Sequence, residues 1–317
     1  MSKKINRRDF IKKSASMGAL SFLGWGVTSS CTSQQTAMKE QAGAVDIAVV
    51  QGQDYALNTT NAVDHLGGMD AFVSSGDKVA ILANPQRNNP GAFTKPDLLQ
   101  ATIQMCNQAG AQSVTCISQL PDQNWEATGL KKVVSDQGAG LVIVDRSDDS
   151  QFKTVSIPKG TALREAQIMN EFYNYDVLID MPITKDHAGN KFTGTMKNLM
   201  GLSSGKTNRS FHKKGWQTDI NAIDHLEQCI ADLNTIIQPD LCIVDATEFI
   251  TTNGPFGPGE IITPQKVVAG TDRVAVDSYC CTLWGLQGKD ILQITKAFNL
   301  GVGEMDLSKV RIKEVSV

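Results

Sequence analysis

Leu241-Cys242-Ile243-Val244-Asp245 is an apolar run that ends in an acid, and the chain contains two more runs of the same kind. These are Leu141-Val142-Ile143-Val144-Asp145 and Val177-Leu178-Ile179-Asp180. Near-continuous apolar runs of this length are typical of strands buried on both faces of a parallel sheet. Ligands bind beyond the carboxyl ends of such strands, so the three acids together indicate where a site would lie. Each acid alone is more readily explained by a turn or a helix cap.

Similar apolar runs alternate with segments of helical length from Val45 onward. Further strands are predicted at 47–50, 79–82, 113–117, 266–268 and 310–317. Helices are predicted at 60–66, 95–109, 125–136, 162–173, 220–237, 272–283 and 290–298. This alternation predicts an α/β fold with a mostly parallel sheet and helices on both faces, of the Rossmann-like type.

The first residues read as an export signal. Arg7-Arg8 followed by Asp9-Phe10-Ile11-Lys12 matches the twin-arginine consensus in order and spacing, and the mildly apolar stretch 17–27 is too short to span a bilayer. We therefore expect the twin-arginine machinery to export the folded protein to the periplasm or cell surface. A basic amphipathic N-terminal helix is the alternative. Export in folded form favours a bound cofactor without naming one.

Thr28-Ser29-Ser30-Cys31 offers a site for lipid attachment after cleavage, although Thr28 is atypical three places before the cysteine. Residues 32–44 are polar and have no apolar period, as a tether should be. The sequence thus predicts a signal peptide at 1–31, a tether at 32–44 and the α/β domain at 45–317. A lipid on Cys31 would be the protein's only contact with the membrane, and cleavage without lipid is the alternative.

Charge is distributed unevenly along the chain. Past residue 31 there are 24 basic and 32 acidic residues, a formal charge of −8, which excludes a general nucleic-acid binder. The segment from Lys185 to Lys214 reverses this sign, with seven basic residues and one acid. A solvated basic loop would explain the charge, but the segment is also rich in glycine, threonine and asparagine.

The residues in and near this segment predict an anion site. Phe192 to Gly201 reads as a helix capped by Thr193 and stopped by Gly201, and a helix N-terminus beside lysines attracts anions. The loop 253–259, rich in glycine and proline, would bring its backbone close to a ligand, although a plain turn explains it nearly as well. A buried Asp277 would need a partner such as a lysine.

We assign roles on this basis. Proton transfer or charge control is expected from Lys185, His187, His212 and Asp277, since histidine titrates near neutral pH. Ligand binding is expected from Thr193, Gly194, Lys197, Asn198, Asp245, Gly254 and Asp272. Asp272 is better explained as a helix N-cap. Each histidine, taken alone, is explained equally well as a surface loop residue. No metal ligand is assigned.

Six cysteines follow Cys31: Cys106, Cys116, Cys229, Cys242, Cys280 and Cys281. An even number in an oxidising compartment favours disulfides. Most of the six lie in apolar runs, however, which favours buried free thiols. No C-x-x-C motif occurs, so the sequence carries no ferredoxin-type cluster motif and no zinc knuckle.

Several blocks in fixed order resemble a known family. They are Asp180-Met181-Pro182-Ile183-Thr184-Lys185-Asp186-His187, Thr193 to Gly201, Val244-Asp245, Gly254-Pro255 and Gly270 to Asp277. Over residues 45–303 the chain is similar to the family called "domain of unknown function 362". Members are often described as iron–sulfur centre proteins, because many carry a ferredoxin-like cysteine cluster. This chain lacks such a cluster, so the resemblance implies kinship and leaves the chemistry and any cofactor open.

Three functions are consistent with these residues. The first is an enzyme acting on a small anionic ligand, a carboxylate or a phosphate. The second is a lipoprotein that captures the same ligand without chemistry, and nothing in the sequence separates the two. The third is a redox or metal protein, which ranks last because adjacent Cys280 and Cys281 on a helix point about 100° apart.

Replacing both Arg7 and Arg8 with lysine tests the export signal. The export machinery recognises the paired guanidinium groups, so we expect the precursor to accumulate in the cytoplasm. Cell fractionation and immunoblotting measure this, with Lys3→Arg and Lys4→Arg, outside the motif, as a matched control that keeps the charge. Normal export of the Arg7→Lys, Arg8→Lys precursor would show that another route is used.

Overall fold

The computed structural model describes residues 45–317. The predicted signal peptide at 1–31, the lipid site at Cys31 and the tether at 32–44 lie outside the described residues. Within residues 45–317, none of the helices combines the length and the apolar character that a membrane span requires.

An eight-stranded sheet forms the centre of the described chain, with strand order β14-β1-β13-β10-β7-β2-β3-β4. Its strands are β1 (Ile47–Gln51), β2 (Lys78–Ala83), β3 (Ser113–Ser118), β4 (Gly140–Ile143), β7 (Val177–Met181), β10 (Leu241–Ala246), β13 (Lys266–Gly270) and β14 (Ile312–Ser316). Five of the seven pairings are parallel, and β13 runs antiparallel to both β1 and β10. The predicted mostly parallel sheet is confirmed.

Three two-stranded sheets accompany the main sheet. They pair β5 (Phe152–Ser156) with β6 (Glu165–Met169), β8 (Lys185–His187) with β9 (Lys191–Thr193), and β11 (Phe249–Ile250) with β12 (Ile261–Ile262). The β8–β9 hairpin begins the basic segment, so that segment starts as an extended structure and becomes helical only after Thr193.

Helices cover both faces of the main sheet, as predicted. They are α1 (Tyr55–His65), α2 (Pro96–Gln108), α3 (Asp122–Ala127), α4 (Leu130–Asp136), α5 (Thr195–Asn198), α6 (Gly205–Phe211), α7 (Ile220–Leu233), α8 (Arg273–Thr282) and α9 (Leu292–Asn299). Short 3-10 helices lie at Met69–Ala71, Asp149–Gln151, Asn170–Asn174, Leu199–Leu202, Gly288–Asp290 and Leu307–Lys309.

The side chains of β2 show how the sheet divides the apolar core. Val79 and Ile81 pack with helices α1 to α4, whereas Ala80 and Leu82 pack with α7 to α9. Successive side chains of a strand point to opposite faces, so a continuously apolar strand needs helices on both sides.

The predicted helix at 162–173 is wrong. Glu165–Met169 is strand β6, paired antiparallel with β5, and only Asn170–Asn174 is helical, as a 3-10 turn. The residues of Glu165–Met169 have reasonable helix propensity. Pairing with β5, however, buries Ala166 and Ile168 on one side of the strand, and this packing outweighs local preference.

The predicted helix at 125–136 is interrupted. It begins at Asp122, stops at Ala127, and resumes at Leu130 after Gly129, whose φ of 77° lies in the left-handed region. Glycine tolerates this conformation, so the two short helices meet at a turn.

Asp277 fixes the start of α5. Its Oδ1 accepts hydrogen bonds from the Thr195 backbone N–H at 2.7 Å and the Thr195 hydroxyl at 3.0 Å, and its Oδ2 accepts one from the Met196 N–H at 3.0 Å. The carboxyl is fully buried, and burial raises its pKa to about 7. The N–H groups at this helix start, which the sequence predicted would bind a ligand anion, therefore donate to the Asp277 side chain of α8 instead.

Gly194→Ala should destabilise the protein by about 2 kcal/mol or more, because a methyl group there would overlap the carboxylate of Asp277 and break these hydrogen bonds. Gly201→Ala is the matched control in the same segment, since its nearest neighbour would be Leu82 Cδ1 at an ordinary 3.5 Å. Urea denaturation measures both variants. Equal stability of the two would contradict the proposed packing at Gly194.

Candidate functional site

A cavity of about 390 Å³ lies at the carboxyl ends of β2, β3 and β4. Asn84, Gln119 and Arg146, which follow these three strands, line one side of it. Residues of the basic segment, including Lys197 and Arg209, line the other side. This is the edge at which parallel sheets bind ligands.

In the part of the chain that the structure describes, the cavity lining contains basic side chains and no aspartate or glutamate. Its cations are Lys197, Arg146 and Arg209, joined by His187 and His212. None of these three cations takes part in the salt bridges found among residues 45–317. The cavity therefore presents positive charge without a neutralising protein carboxylate within contact distance.

The two arginines converge at the exposed edge of the cavity. A methyl group built on Gly205 would lie 3.4 Å from both Arg146 Nε and Arg209 Nη1, so the guanidinium groups flank one point. The Gly205 N–H donates to the Arg146 carbonyl at 2.8 Å, which ties the two segments together. Paired guanidinium groups suit the planar oxygens of a carboxylate or phosphate.

Lys197 lies deeper in the cavity than the arginines: it is 7% exposed, whereas Arg146 and Arg209 are exposed residues. Its Nζ has Met200 Sδ as a partner at 3.7 Å, and thioether sulfur is a weak acceptor. Burial lowers the pKa of Lys197 from its usual range, and the Glu227 carboxylate opposes this shift. The amine thus faces the cavity with its hydrogen-bonding capacity largely unused.

The two histidines share one orientation. His187 Nδ1 lies 2.8 Å from the Ala188 carbonyl oxygen, and His212 Nδ1 lies 2.9 Å from the Asn208 carbonyl oxygen. A carbonyl only accepts, so in each case Nδ1 donates and carries the hydrogen. In the neutral ring this leaves the lone pair on Nε2.

The surroundings keep both histidines neutral. Burial lowers the pKa of His212 to about 4 and that of His187 well below its usual value, with the charge of Lys197 adding to both shifts. Both rings contact Trp216, at 5.3 Å from His187 and 4.9 Å from His212 between centroids. Near neutral pH the cavity therefore contains two Nε2 proton acceptors.

Lys185 lies behind the cavity wall. It is fully buried, and its Nζ donates to the Ala92 carbonyl at 2.6 Å and to Asn84 Oδ1 at 3.3 Å. Burial, together with the charge of Lys197, lowers its pKa to about 7. Lys185 is not part of the cavity lining, but it donates a hydrogen bond to Asn84, which is.

Asn84 and Asn198 form a directed hydrogen-bond chain. The Asn84 amide nitrogen donates to Asn198 Oδ1 at 3.0 Å, and the Asn198 amide nitrogen donates to Asp180 Oδ1 at 2.7 Å. Burial raises the pKa of Asp180 well above its usual value. Because Lys185 holds Asn84 Oδ1, the amide N–H groups of Asn84 face Asn198 and the cavity.

Five of the predicted site residues line this cavity: His187, Thr193, Lys197, Asn198 and His212. The hydroxyl of Thr193 is buried and has no partner within the described residues, so it is free to bond a ligand. Thr193 was predicted to be the N-cap of this helix. In the structure the N-cap residue of α5 (Thr195–Asn198) is Gly194.

The predicted acids lie outside the lining and have structural partners. Asp245 accepts from the backbone N–H groups of Thr247 and Lys95. Asp272 caps α8 through the Val274 N–H and also accepts from the Glu304 N–H. Asp277 caps α5, as described above.

Gly254 and Gly194, the two glycines predicted to bind a ligand, allow close packing within the protein. Gly254 donates its N–H to Asp186 Oδ2 at 2.7 Å, and a side chain there would overlap the Asp186 backbone. Gly194 leaves room for the Asp277 carboxylate. The neighbours of Gly254, Pro255 and Phe256, do line the cavity.

Sequence reasoning missed Asn84, Gln119, Arg146, Arg209 and Trp216. The first three follow strands that were predicted, but only acids were considered at strand ends. Arg209 belongs to the basic segment and was passed over because the choice centred on the lysines. None of the strand-end acids lines the cavity.

All six described cysteines are buried free thiols, as expected. Burial raises the pKa of each, to about 12 for Cys106 and Cys229. Buried thiols of this kind are chemically inert. Within residues 45–317, no three His, Cys, Asp or Glu side chains are grouped so as to hold a metal ion.

A family model described as "Domain of unknown function (DUF362)" matches residues 78–282. The chain belongs to the DUF362 family. The resemblance seen in the sequence motifs is thereby confirmed. The match covers strands β2 to β13 and the whole of α8, and so includes every residue assigned to the cavity.

The chain is similar to one protein in sequence and to another in structure. The thylakoid-associated protein sll1697 of Synechocystis sp. is 25% identical over 248 residues, which are 73% of this chain and 72% of that protein. The lactate racemase apoprotein from Thermoanaerobacterium thermosaccharolyticum is a structural neighbour with a TM-score of 0.46 and 14% identity. The match covers 72% of this chain and 55% of the racemase chain.

Lys185→Met should change how stability depends on pH. The folded state releases the lysine proton near pH 7 and the unfolded chain near its ordinary pKa of 10.5, so between these values unfolding takes up a proton. The unfolding free energy of the wild type should therefore rise relative to the variant by roughly 1.4 kcal/mol per pH unit from pH 7 to about pH 9.

Denaturation of both proteins at several pH values measures this difference. Lys206→Met, at an exposed lysine of α6, is the matched control and should parallel the wild type. A constant difference between wild type and Lys185→Met would show that Lys185 stays charged in the folded protein.

Proposed function

We propose that this protein binds a small compound bearing a carboxylate or phosphate group in the cavity, and that its histidines exchange a proton with the bound compound. The observation that carries the proposal is the lining itself, which among residues 45–317 contains no aspartate or glutamate and three cations that form no salt bridge. The reaction would then belong to an enzyme exported by the twin-arginine route.

The electrostatics support an anionic ligand. Three cations are concentrated around one cavity, while the chain past residue 31 has a net charge of −8. A cleft of one charge sign raises the local concentration of the opposite ion. Each hydrogen bond to a charged group contributes about 1.5–3 kcal/mol, so the arginines and Lys197 together would hold a small anion firmly.

The histidines favour catalysis over simple capture. An anion-binding protein gains most from charged imidazolium groups, yet His187 and His212 are held neutral with Nε2 free. A neutral imidazole can accept a proton and return it, and both rings lie beside Trp216 in the lining of one cavity. Strongly shifted pKa values in a cleft are characteristic of active sites.

Capture of the same anion without chemistry is the second candidate. It uses the same cations, and it is favoured by the predicted lipid site at Cys31, since surface tethering suits a ligand-binding protein. The two candidates differ in the histidines, which only the enzyme requires. Replacement of either histidine by glutamine would leave affinity intact in both cases and abolish turnover in the first.

Sulfate and malonate are suitable probes of the cavity in isothermal titration calorimetry. Lys197→Met and the double variant Arg146→Gln, Arg209→Gln should each weaken binding at least tenfold, through loss of charge-assisted hydrogen bonds. Lys206→Met and Arg164→Gln, at exposed positions outside the lining, should bind as the wild type does.

The affinity of the wild type for sulfate should also fall as the pH rises from 7 to 9, because the lowered pKa of Lys197 brings its loss of charge into this range. Lys197→Met should weaken that dependence and leave only the part that comes from Lys185, whose pKa of about 7 also lies near this range. Wild-type affinity in both cavity variants would refute the anion site.

A further inference from the structure

Lys197 is held differently from a lysine that serves only as a fixed charge. Such a lysine is normally surrounded by oxygen acceptors that keep it protonated. The Nζ of Lys197 instead has a sulfur atom at 3.7 Å as its partner within the described residues, although the side chain is buried. Loss of its proton would break no hydrogen bond to oxygen and would leave a lone pair facing the cavity.

A second buried lysine, Lys185, lies in the same region. The charge of Lys197 helps to lower the pKa of Lys185, whereas the pKa of Lys197 is lowered by its own burial. Both amines therefore lose a proton more readily than an exposed lysine does. Lys185 is held by Ala92 and Asn84 behind the wall, which leaves Lys197 as the amine that a ligand can reach.

We infer that the amine of Lys197 condenses with a carbonyl compound that carries an anionic group, such as a 2-oxo acid, to form an imine. The inference rests on the proposed function, because the arginines at the exposed edge would hold the anionic group. Lys197, deeper in the cavity, would then face the carbonyl carbon.

The step needs no oxidant or reductant. The lone pair of the neutral amine attacks the carbonyl carbon, so a C–N bond forms and the C=O π bond opens to a carbinolamine. Nitrogen loses two protons in all, and Nε2 of His187 or His212 accepts each in turn and passes it to the oxygen. The first proton makes the hydroxyl, and the second lets it leave as water when the C–O bond breaks and the C=N bond forms. Both histidines line the same cavity as Lys197, with Nε2 unprotonated.

Reductive trapping tests the inference directly. The wild-type protein is incubated with pyruvate or glyoxylate and sodium cyanoborohydride, and its intact mass and peptide masses are measured. We expect one adduct with a mass equal to the 2-oxo acid less one oxygen atom, located on Lys197. Acetone, which has the carbonyl group without the anion, should label at least tenfold more slowly.

Two variants serve as matched controls. Lys197→Arg keeps the charge and removes the nucleophile, so it should lose the adduct and still bind malonate. Lys206→Arg should label as the wild type does. The position of the adduct in the wild type is informative even without a variant, because peptide mapping identifies the labelled lysine.

The pH profile of labelling gives an independent readout. The Glu227 carboxylate favours the ammonium form of Lys197, so Glu227→Gln should shift the profile to lower pH. A purely structural role of Glu227 would leave the profile in place.

The outcomes separate this inference from the proposed function. Malonate binding without an adduct from either 2-oxo acid, or with label spread evenly over surface lysines, overturns imine formation and leaves the anion site intact. Failure to bind malonate and sulfate overturns the proposed function as well. An adduct on Lys185 in place of Lys197 overturns the inference.

Discussion

The hydrogen bonds between the Asp277 carboxylate and the backbone N–H groups of Thr195 and Met196 are the constraint on which the site depends. They fix the start of the one-turn helix that carries Lys197 and Asn198 into the cavity. A helix this short has little stability of its own, because forming the first turn is unfavourable. The buried carboxylate supplies the stabilisation that the turn lacks, and Gly194 is required for its close approach.

The acids and the cations of this region lie in different places and make different contacts. The carboxylates of Asp245, Asp272 and Asp277 cap helices or accept hydrogen bonds from backbone N–H groups, and none of them lines the cavity. The cations around the cavity are consequently left without carboxylate contacts. Lys185 lies behind the cavity wall and also makes a structural contact. Its buried amine donates to Asn84 Oδ1, so the N–H groups of Asn84 face Asn198 and the cavity. Such burial costs stability, a cost that proteins commonly carry at functional sites.

The sequence predicted the architecture better than the chemistry. Apolar runs such as Val79–Leu82 identified the buried strands, because a strand buried on both faces is apolar at every position, and the local sequence shows this directly. The strand at Glu165–Met169 was mistaken for a helix, since only its tertiary partner β5 decides between the two. Residues of the basic segment, Lys197 and Arg209 among them, line one side of the cavity. The sequence could not show that Asp277 would occupy the helix start or that Arg146, 63 positions before Arg209, would lie beside it.

The most direct test of the central claim is an anomalous difference map from crystals soaked in selenate and measured at the selenium edge. The account predicts that the strongest selenium peak lies inside the cavity, within hydrogen-bond distance of Lys197 Nζ or of the Arg146 and Arg209 guanidinium groups. Peaks confined to other surfaces of the protein, with the cavity empty at saturating selenate, would contradict the claim that this is an anion site.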